Sequence, residues 1–287
     1  MRKFVTIITG IVIFGCSVVL ISAIGFMLGP SVEFSSPEAA YRQGMSAFHS
    51  GEYDRAIPAL KAANQGGVTT ANFALARIYK DSRKDDLKAF ELFDKYALGH
   101  SNAGYKHPQA AAIAEALVEV GRYYRSGIQG TDVKNDYREA YRYFHHAATN
   151  LRNPIAAYQV ALMYLSGEGV ASNARTAARW LKNSYEKNHA DSQALLGDLF
   201  WQGRGVKKNK PLALSLLMMA RTNAEDENCI GYRQDGQRRI LKSLKSINGA
   251  VSQKIRAAAM DLYEELYHPC FVNIDLPSIE GVRSKRV

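Results

Sequence analysis

The strongest constraint on this chain is an internal repeat. Gly121-Arg122-Tyr123-Tyr124-Arg125-Ser126-Gly127 is followed by Ala140 and Phe144. Ala161-Leu162-Met163-Tyr164-Leu165-Ser166-Gly167-Glu168-Gly169-Val170 is followed by Ala177, Trp180 and Leu181. Gly197-Asp198-Leu199-Phe200-Trp201-Gln202-Gly203-Arg204-Gly205-Val206 is followed by Ala213 and Leu217. Ala76-Arg77-Ile78-Tyr79 leads to Ala89 and Phe93, and Gly44 leads to Gly51, Tyr53, Ala56 and Leu60. The alanines of the second half-repeat fall at 56, 89, 140, 177 and 213, so the first step is 33 residues and the last two are 37 and 36. The long step between 89 and 140 holds an insertion at residues 99–108 and a longer inter-helix loop at residues 128–136.

The physics of one repeat is a helical hairpin. A Gly or Ala at the crossing point of the first helix (helix A) lets two backbones approach. The aromatic three residues later fills the groove above that contact. In the second helix (helix B), the Ala and the apolar residue four later share a face. The Gly-x-Gly turn supplies left-handed backbone angles where helix A must stop. A single hairpin cannot cover its own apolar face, so neighbours must stack. The expected fold is all-α, a right-handed α-solenoid over residues 37–222. The Gly-x-Gly pairs follow helices rather than strands, so they read as repeat turns and not as phosphate-binding loops.

The N-terminus bears on compartment. Met1-Arg2-Lys3 precedes an uncharged stretch, Phe4 to Gly29, of 26 residues. A basic head before an apolar run marks an export signal. Ala23-Ile24-Gly25 offers a cleavage site that would start the mature chain at Phe26. Roughly 20 apolar residues suffice to span a bilayer, so retention as an anchor is the competing reading. Either way residues 1–25 are targeting sequence, the remainder is exported, and the segment is the chain's one expected membrane contact. Cys16 reads as a membrane-embedded residue rather than a lipidation site, because Phe14 is too bulky for a lipoprotein box.

The formal charge is +10, and losing Arg2 and Lys3 leaves +8. No block of five or six basic residues occurs, and export argues against nucleic acid even where Arg and Tyr interleave at Arg138 to Tyr143. No Gly-x-Ser-x-Gly elbow, His-Glu-x-x-His or Walker loop is present, so no catalytic residue, cofactor or metal is expected. Adjacent His145 and His146 point about 100° apart on a helix and read as surface or packing residues. The seven histidines invite a pH-response hypothesis.

The pattern Leu-Gly-x-x-Tyr-x-x-Gly-x-Gly-Val followed by Lys-Ala and Trp resembles the Sel1-like repeat, a relative of the tetratricopeptide repeat. Residues 161–170 and 196–206 carry it most closely. The second repeat departs from it, with Lys80-Asp81-Ser82-Arg83-Lys84-Asp85 where the glycine turn should be. The order of units (export signal, short first repeat, inserted linker, two clear Sel1 units, helical cap) resembles the ExoR family of periplasmic negative regulators of exopolysaccharide production. That resemblance implies a non-enzymatic adaptor. Its partner would be the periplasmic domain of a sensor histidine kinase of the ExoS type, acting with a ChvI-type response regulator. It also implies relief of repression by a periplasmic protease. The insertion at residues 99–108 is expected to be extended, exposed and open to cleavage.

By analogy with tetratricopeptide geometry, residues one, four and five after the crossing Gly or Ala face a binding groove. This selects Arg77, Lys80, Arg122, Arg125, Asp198, Trp201 and Gln202, with Tyr158 facing the groove from earlier in its helix. Arg, Tyr and Trp dominate protein interfaces, so these residues are the candidate partner contacts. The bland alternative for each is an ordinary solvated face. Trp180 belongs to the helix-B pattern and reads as core. Two other functions share features of the repeats: a general envelope scaffold, and a cell-wall hydrolase of the cysteine-rich Sel1 type. The hydrolase fits poorly, because these repeats lack a Cys pair.

Residues 223–271 read as a helical hairpin cap, with helices over 233–247 and 251–267 joined at Asn248-Gly249, and residues 272–287 as a flexible tail. The stripes are Ile240, Leu241, Leu244 and Ile247, then Ile255, Ala259, Leu262, Tyr263 and Leu266. An antiparallel hairpin brings Cys229 and Cys270 to one end, and in an oxidising compartment a Cys229–Cys270 disulfide is expected. Two unpaired cysteines near helix ends are the alternative.

Overall fold

A computed structural model describes residues 34–225, 242–245, 247 and 251–267. The N-terminal export or anchor segment with Cys16, the Cys229–Cys270 pairing, Ile240, Leu241 and the tail all lie outside the described residues. Every regular element among the described residues is helical. In chain order they are α1 (Pro37–His49), α2 (Tyr53–Gln65), α3 (Ala71–Arg77), α4 (Asp86–Leu98), α5 (Ala110–Ser126), α6 (Tyr137–Thr149), α7 (Pro154–Ser166), α8 (Ala174–Tyr185), α9 (Ala190–Gln202), α10 (Lys210–Glu225) and α11 (Gln253–Leu266). A π-helical segment, Ile78–Arg83, continues α3.

Two compact units divide the chain, residues 1–75 and 76–287. The boundary falls inside α3, where the sequence had suggested one uninterrupted repeat array. In the first unit α1 packs on α2. A Cβ on Gly44 would meet Leu60 Cγ at 2.7 Å, which is why no larger residue fits there. In the second unit α5 pairs with α6, α7 with α8 and α9 with α10, and each pair also meets the next, as in an α-solenoid. The expected crossing points are real contacts. A Cβ on Gly121 would strike the Phe144 ring at 2.7 Å, and one on Gly197 would lie 2.9 Å from the Ala213 carbonyl oxygen.

The helix-B pattern holds without exception. Ala56, Ala89, Ala140, Ala177 and Ala213 are fully buried, and so are Leu60, Phe93, Phe144, Leu181 and Leu217 four residues later. Trp180, read as core, is partly buried and packs on the cluster that contains Leu181, Leu196 and Leu216. At the far end Lys242–Lys245 and Ile247 are helical, and α11 lies against α10 with Ala259 and Leu266 buried. Its stripe is the expected one, with Leu262 and Tyr263 partly buried against the same core.

One hydrogen bond unites the repeats. The backbone N–H of the residue capping helix B donates to the carbonyl of the residue three after the crossing position. The pairs are Glu52 to Ala47 (2.9 Å), Asp85 to Tyr79 (2.9 Å), Asp136 to Tyr124 (2.7 Å), Asn173 to Tyr164 (2.8 Å) and Asn209 to Phe200 (3.0 Å). In the last four repeats the capping side chain also accepts from the first turn of helix B, at Lys88, Arg138 and Glu139, Thr176 and Leu212. Asp and Asn therefore sit where orphan helix donors need an acceptor.

Candidate functional site

The residues singled out as partner contacts fall on the helix-A row, and most are engaged within the protein. Arg77, at the end of α3, places Nε 3.6 Å from Glu115 Oε1 on α5. One helical turn on, Lys80 Nζ lies 2.8 Å from Glu119 Oε2. Arg122 Nη1 lies 2.6 Å from the other oxygen, Glu119 Oε1. Glu119 is thus a buried carboxylate held between cations from two successive repeats, with 7% of its side chain exposed. Paired burial of this kind is tolerated because both oxygens are satisfied. Burial raises Glu115 above the usual carboxylate range, opposed by the Arg77 charge.

The row continues through Arg125, which donates from Nε to Glu168 at 2.7 Å and from Nη1 to Gln159 at 3.1 Å. Glu168 is the middle residue of the Gly167-Glu168-Gly169 turn, so α5 is pinned to the helix-A end of the next repeat. Arg204, in the following turn, donates to the Leu165 carbonyl at 3.1 Å. The inter-repeat contacts are therefore charge-assisted along this row, and such bonds are the stronger class.

Tyr158 is placed differently from the expectation. It is 5% exposed, and its ring centroid lies 5.2 Å from that of His189. Its face is spent on the junction between repeats four and five. There His189 caps α9, its Nδ1 lies 2.9 Å from Ser192 Oγ, Ser192 Oγ donates to Ser184 Oγ at 2.7 Å, and Ser184 Oγ donates to the Pro154 carbonyl at 2.7 Å. The Ser192 backbone N–H donates to His189 Nδ1 at 3.2 Å, which is the cap itself, so Nδ1 carries the accepting lone pair and the ring proton belongs on Nε2. Burial, then the Arg122 charge, pushes His189 down to about 4.

Asp198 accepts from Ser243 at 3.2 Å, which ties α9 to the C-terminal cap. Trp201 is partly buried between two core clusters, with Lys210 Nζ 5.0 Å from its ring centroid. Gln202 is exposed. The structure thus brings Arg77, Lys80, Arg122 and Arg125 into one row and sets Asp198 and Trp201 at the cap end. Sequence reasoning missed Glu115, Glu119, Glu168 and His189. Glu119 had a signal, being the one carboxylate inside the apolar run Ala116 to Val120.

The insertion is not extended, contrary to expectation. His100 Nδ1 lies 2.8 Å from the Tyr96 carbonyl, Ala103 N–H donates to His100 at 2.9 Å, and Gln109 N–H donates to His107 Nδ1 at 3.1 Å. Local bonds fold residues 99–108 into consecutive turns, although most of their side chains remain exposed. Among the described residues no three His, Cys, Asp or Glu side chains could together hold a metal ion, and no helix is long and apolar enough to cross a membrane.

Comparison with known proteins agrees with this architecture. The Sel1 repeat model matches residues 69–99, 114–150, 154–189 and 190–220. The exopolysaccharide production negative regulator of Rhizobium meliloti (strain 1021) is 32% identical over 58% of this chain, which spans 63% of that protein's length. The protein of the same name from Rhizobium leguminosarum bv. viciae is 27% identical over 68% of this chain and 72% of its own length. The crystal structure of a Sel1 repeat protein from Oxalobacter formigenes superposes with a TM-score of 0.57 at 22% identity, covering 85% of this chain and 93% of that one. The chain thus carries four Sel1 repeats and is similar to the exopolysaccharide production negative regulators.

Proposed function

We propose that the protein is an exported adaptor that binds the periplasmic domain of a two-component sensor histidine kinase and represses its signalling, thereby lowering exopolysaccharide production. The observation that carries this reading is the joint occurrence of Sel1 repeats and relatives named as negative regulators of that product. Helical-hairpin stacks present side chains from many successive helices on one surface, a geometry suited to gripping another polypeptide. The basic head and apolar run of residues 1–29 support a periplasmic address, cleaved or anchored.

Repression requires differential binding: the adaptor must hold the inactive kinase conformation more tightly than the active one. Moving a switch from 1:99 to 99:1 takes about 5.5 kcal/mol of such preference. The test is reconstitution of the full chain with a membrane-embedded kinase from the same cell. Saturating adaptor should bind the kinase and suppress its autophosphorylation. Binding without suppression would leave a scaffold, and absence of binding would reject the reading.

A further inference from the structure

At the edge where helix B of one repeat passes to helix A of the next, three exposed cations gather, two of them over one ring. Arg152 holds its guanidinium carbon 3.8 Å from the Tyr105 ring centroid. Lys106 Nζ lies 5.9 Å from the same centroid. Lys187 donates from Nζ to the Arg152 carbonyl at 2.5 Å, although it comes from the following junction, 35 residues on. Among the described residues no carboxylate lies within ion-pair distance of Arg152 or Lys187. Glu186, the nearest acid in sequence, is 3.9 Å from Lys182 instead.

This arrangement costs stability in three ways. Two like charges are held together, and burial with the Arg152 charge keeps Lys187 below the ordinary lysine value, only partly opposed by Glu186. Arg152 sits at φ 52°, a left-handed conformation that non-glycine residues rarely adopt. Tyr105 is 47% exposed and Leu98, at the start of the insertion, is 61% exposed. Costs concentrated at one place are a mark of ligand clamps. The insertion supplies Tyr105, which orients Arg152, and Leu98 stands exposed just before it.

The geometry points to a docking site for an acidic protein segment, in which carboxylates pair with Arg152 and Lys187 and an adjacent apolar side chain packs on the exposed Tyr105. A guanidinium stacked on an aromatic ring still offers its edge for two parallel N–H···O bonds, the geometry a carboxylate accepts best. The exposed Leu98 and Tyr105 favour a polypeptide over an inorganic anion, because they would be left in water by a ligand that carries charge alone. This inference does not depend on the partner being a kinase.

The probe is a fluorescein-labelled hexapeptide of four acidic residues flanking Leu-Phe, titrated into the full chain and followed by anisotropy. Its amide counterpart (Gln and Asn for the acids) and anionic phosphatidylglycerol vesicles are the controls. Saturable binding is expected, weakened about tenfold or more by the amide peptide, by Arg152→Asn and by Lys187→Gln. Asn tolerates the left-handed backbone, so R152N removes charge without forcing the turn to refold. Tyr105→Ala should weaken binding and Tyr105→Phe should not. Equal affinity for acidic and amide peptides, wild-type affinity in both R152N and K187Q, no saturable binding, or R152-dependent capture of vesicles without peptide binding would each overturn the proposal.

Discussion

Repeats two and four end their first helices by different means and arrive at the same place. In repeat four, Gly167 stops α7 at φ 81°, and its N–H donates to Met163 at 2.8 Å. Two residues on, Gly169 lies so close to the start of α6 that a Cβ would meet the Tyr137 carbonyl oxygen at 2.4 Å. Repeat two has no glycine there. It winds Ile78–Arg83 into a π-helical turn, closes it with Lys84 at φ 55°, and staples it through Lys80 to Glu119. Both routes deliver the cap of helix B to the same carbonyl, Tyr79 or Tyr164. The end point is what the packing demands; the path to it is not. Glycine is required where a turn is pressed against the preceding repeat, and a π-turn is a substitute where it is not used.

The sharpest way to break that comparison is Gly205→Ala. Gly205 is the equivalent clamp in repeat five, at φ 73°, and a Cβ there would lie 2.4 Å from the Ala174 carbonyl carbon. Left-handed strain and backbone overlap together should cost about 3–5 kcal/mol of local stability. Hydrogen exchange across α8 and α9 would read it. If G205A is tolerated within experimental error, the turn can be rerouted as in repeat two, and the clamp is not the reason for the glycine.

A second difference separates the entries to the same two repeats. Asn153 caps α7 and His189 caps α9, at equivalent distances before the crossing residues. Asn cannot titrate. The His189 ring is buried and pushed down to about 4, against about 6.5 for an ordinary histidine. The folded state therefore resists protonation that the unfolded chain accepts. The associated stability is complete above about pH 6.5, falls as pH drops toward 4, and is lost below that, to the extent of about 3 kcal/mol. His189→Asn keeps a good cap and should flatten the difference in stability between pH 7 and pH 4.5. An unaltered acid profile in H189N would assign the acid sensitivity to other groups.

How far these features could be read beforehand depends on what each one needs. The alanines at 56, 89, 140, 177 and 213 were legible because helix packing is periodic and small residues mark close crossings. Gly44, Gly121 and Gly197 were legible for the same reason. The common hydrogen bond was not, because a backbone carbonyl leaves no signature in side-chain identity. The expected partner contacts fall on one row of helices, and the ionic partners of that row were invisible. Pairing of Arg122 with Glu119 follows local spacing, whereas Lys80 and Arg125 reach across repeats, and only three-dimensional stacking decides that. The insertion was misread as extended because its Gly, Asn and Ser suggested freedom, while its histidines and Tyr96 supply the local bonds that fold it.

Repeat two can be loosened without touching its glycine-free turn. Glu119→Ala removes the carboxylate shared by Lys80 and Arg122, each about a third exposed. Both cations can turn to water, so the loss should be about 1–2 kcal/mol rather than the full cost of a stranded buried charge. It should appear as faster amide exchange at residues 79–85, while residues 164–173 of repeat four stay protected. Uniform loosening of both would mean the staple is not specific to the π-turn.

The smallest effect, and the finest test, is Lys84→Gly. Lys84 holds φ 55° and ψ 34° at the end of the π-turn, doing without a glycine what Gly167 does in repeat four. A Cβ in the left-handed region costs roughly 1–2 kcal/mol, and a new glycine gives back about 0.5–1 kcal/mol of that through the greater freedom of the unfolded chain. The net gain expected is about 0.5–1 kcal/mol in the protection of the Asp85 amide, the one that reaches Tyr79. The sign is the informative part. A gain means that repeat two bears backbone strain which its Lys80–Glu119 staple offsets, so K84G combined with E119A should recover about half of what E119A alone loses. A loss would mean that the lysine side chain itself holds the turn, and that the two repeats differ in what stabilises the end point as well as in how the chain reaches it.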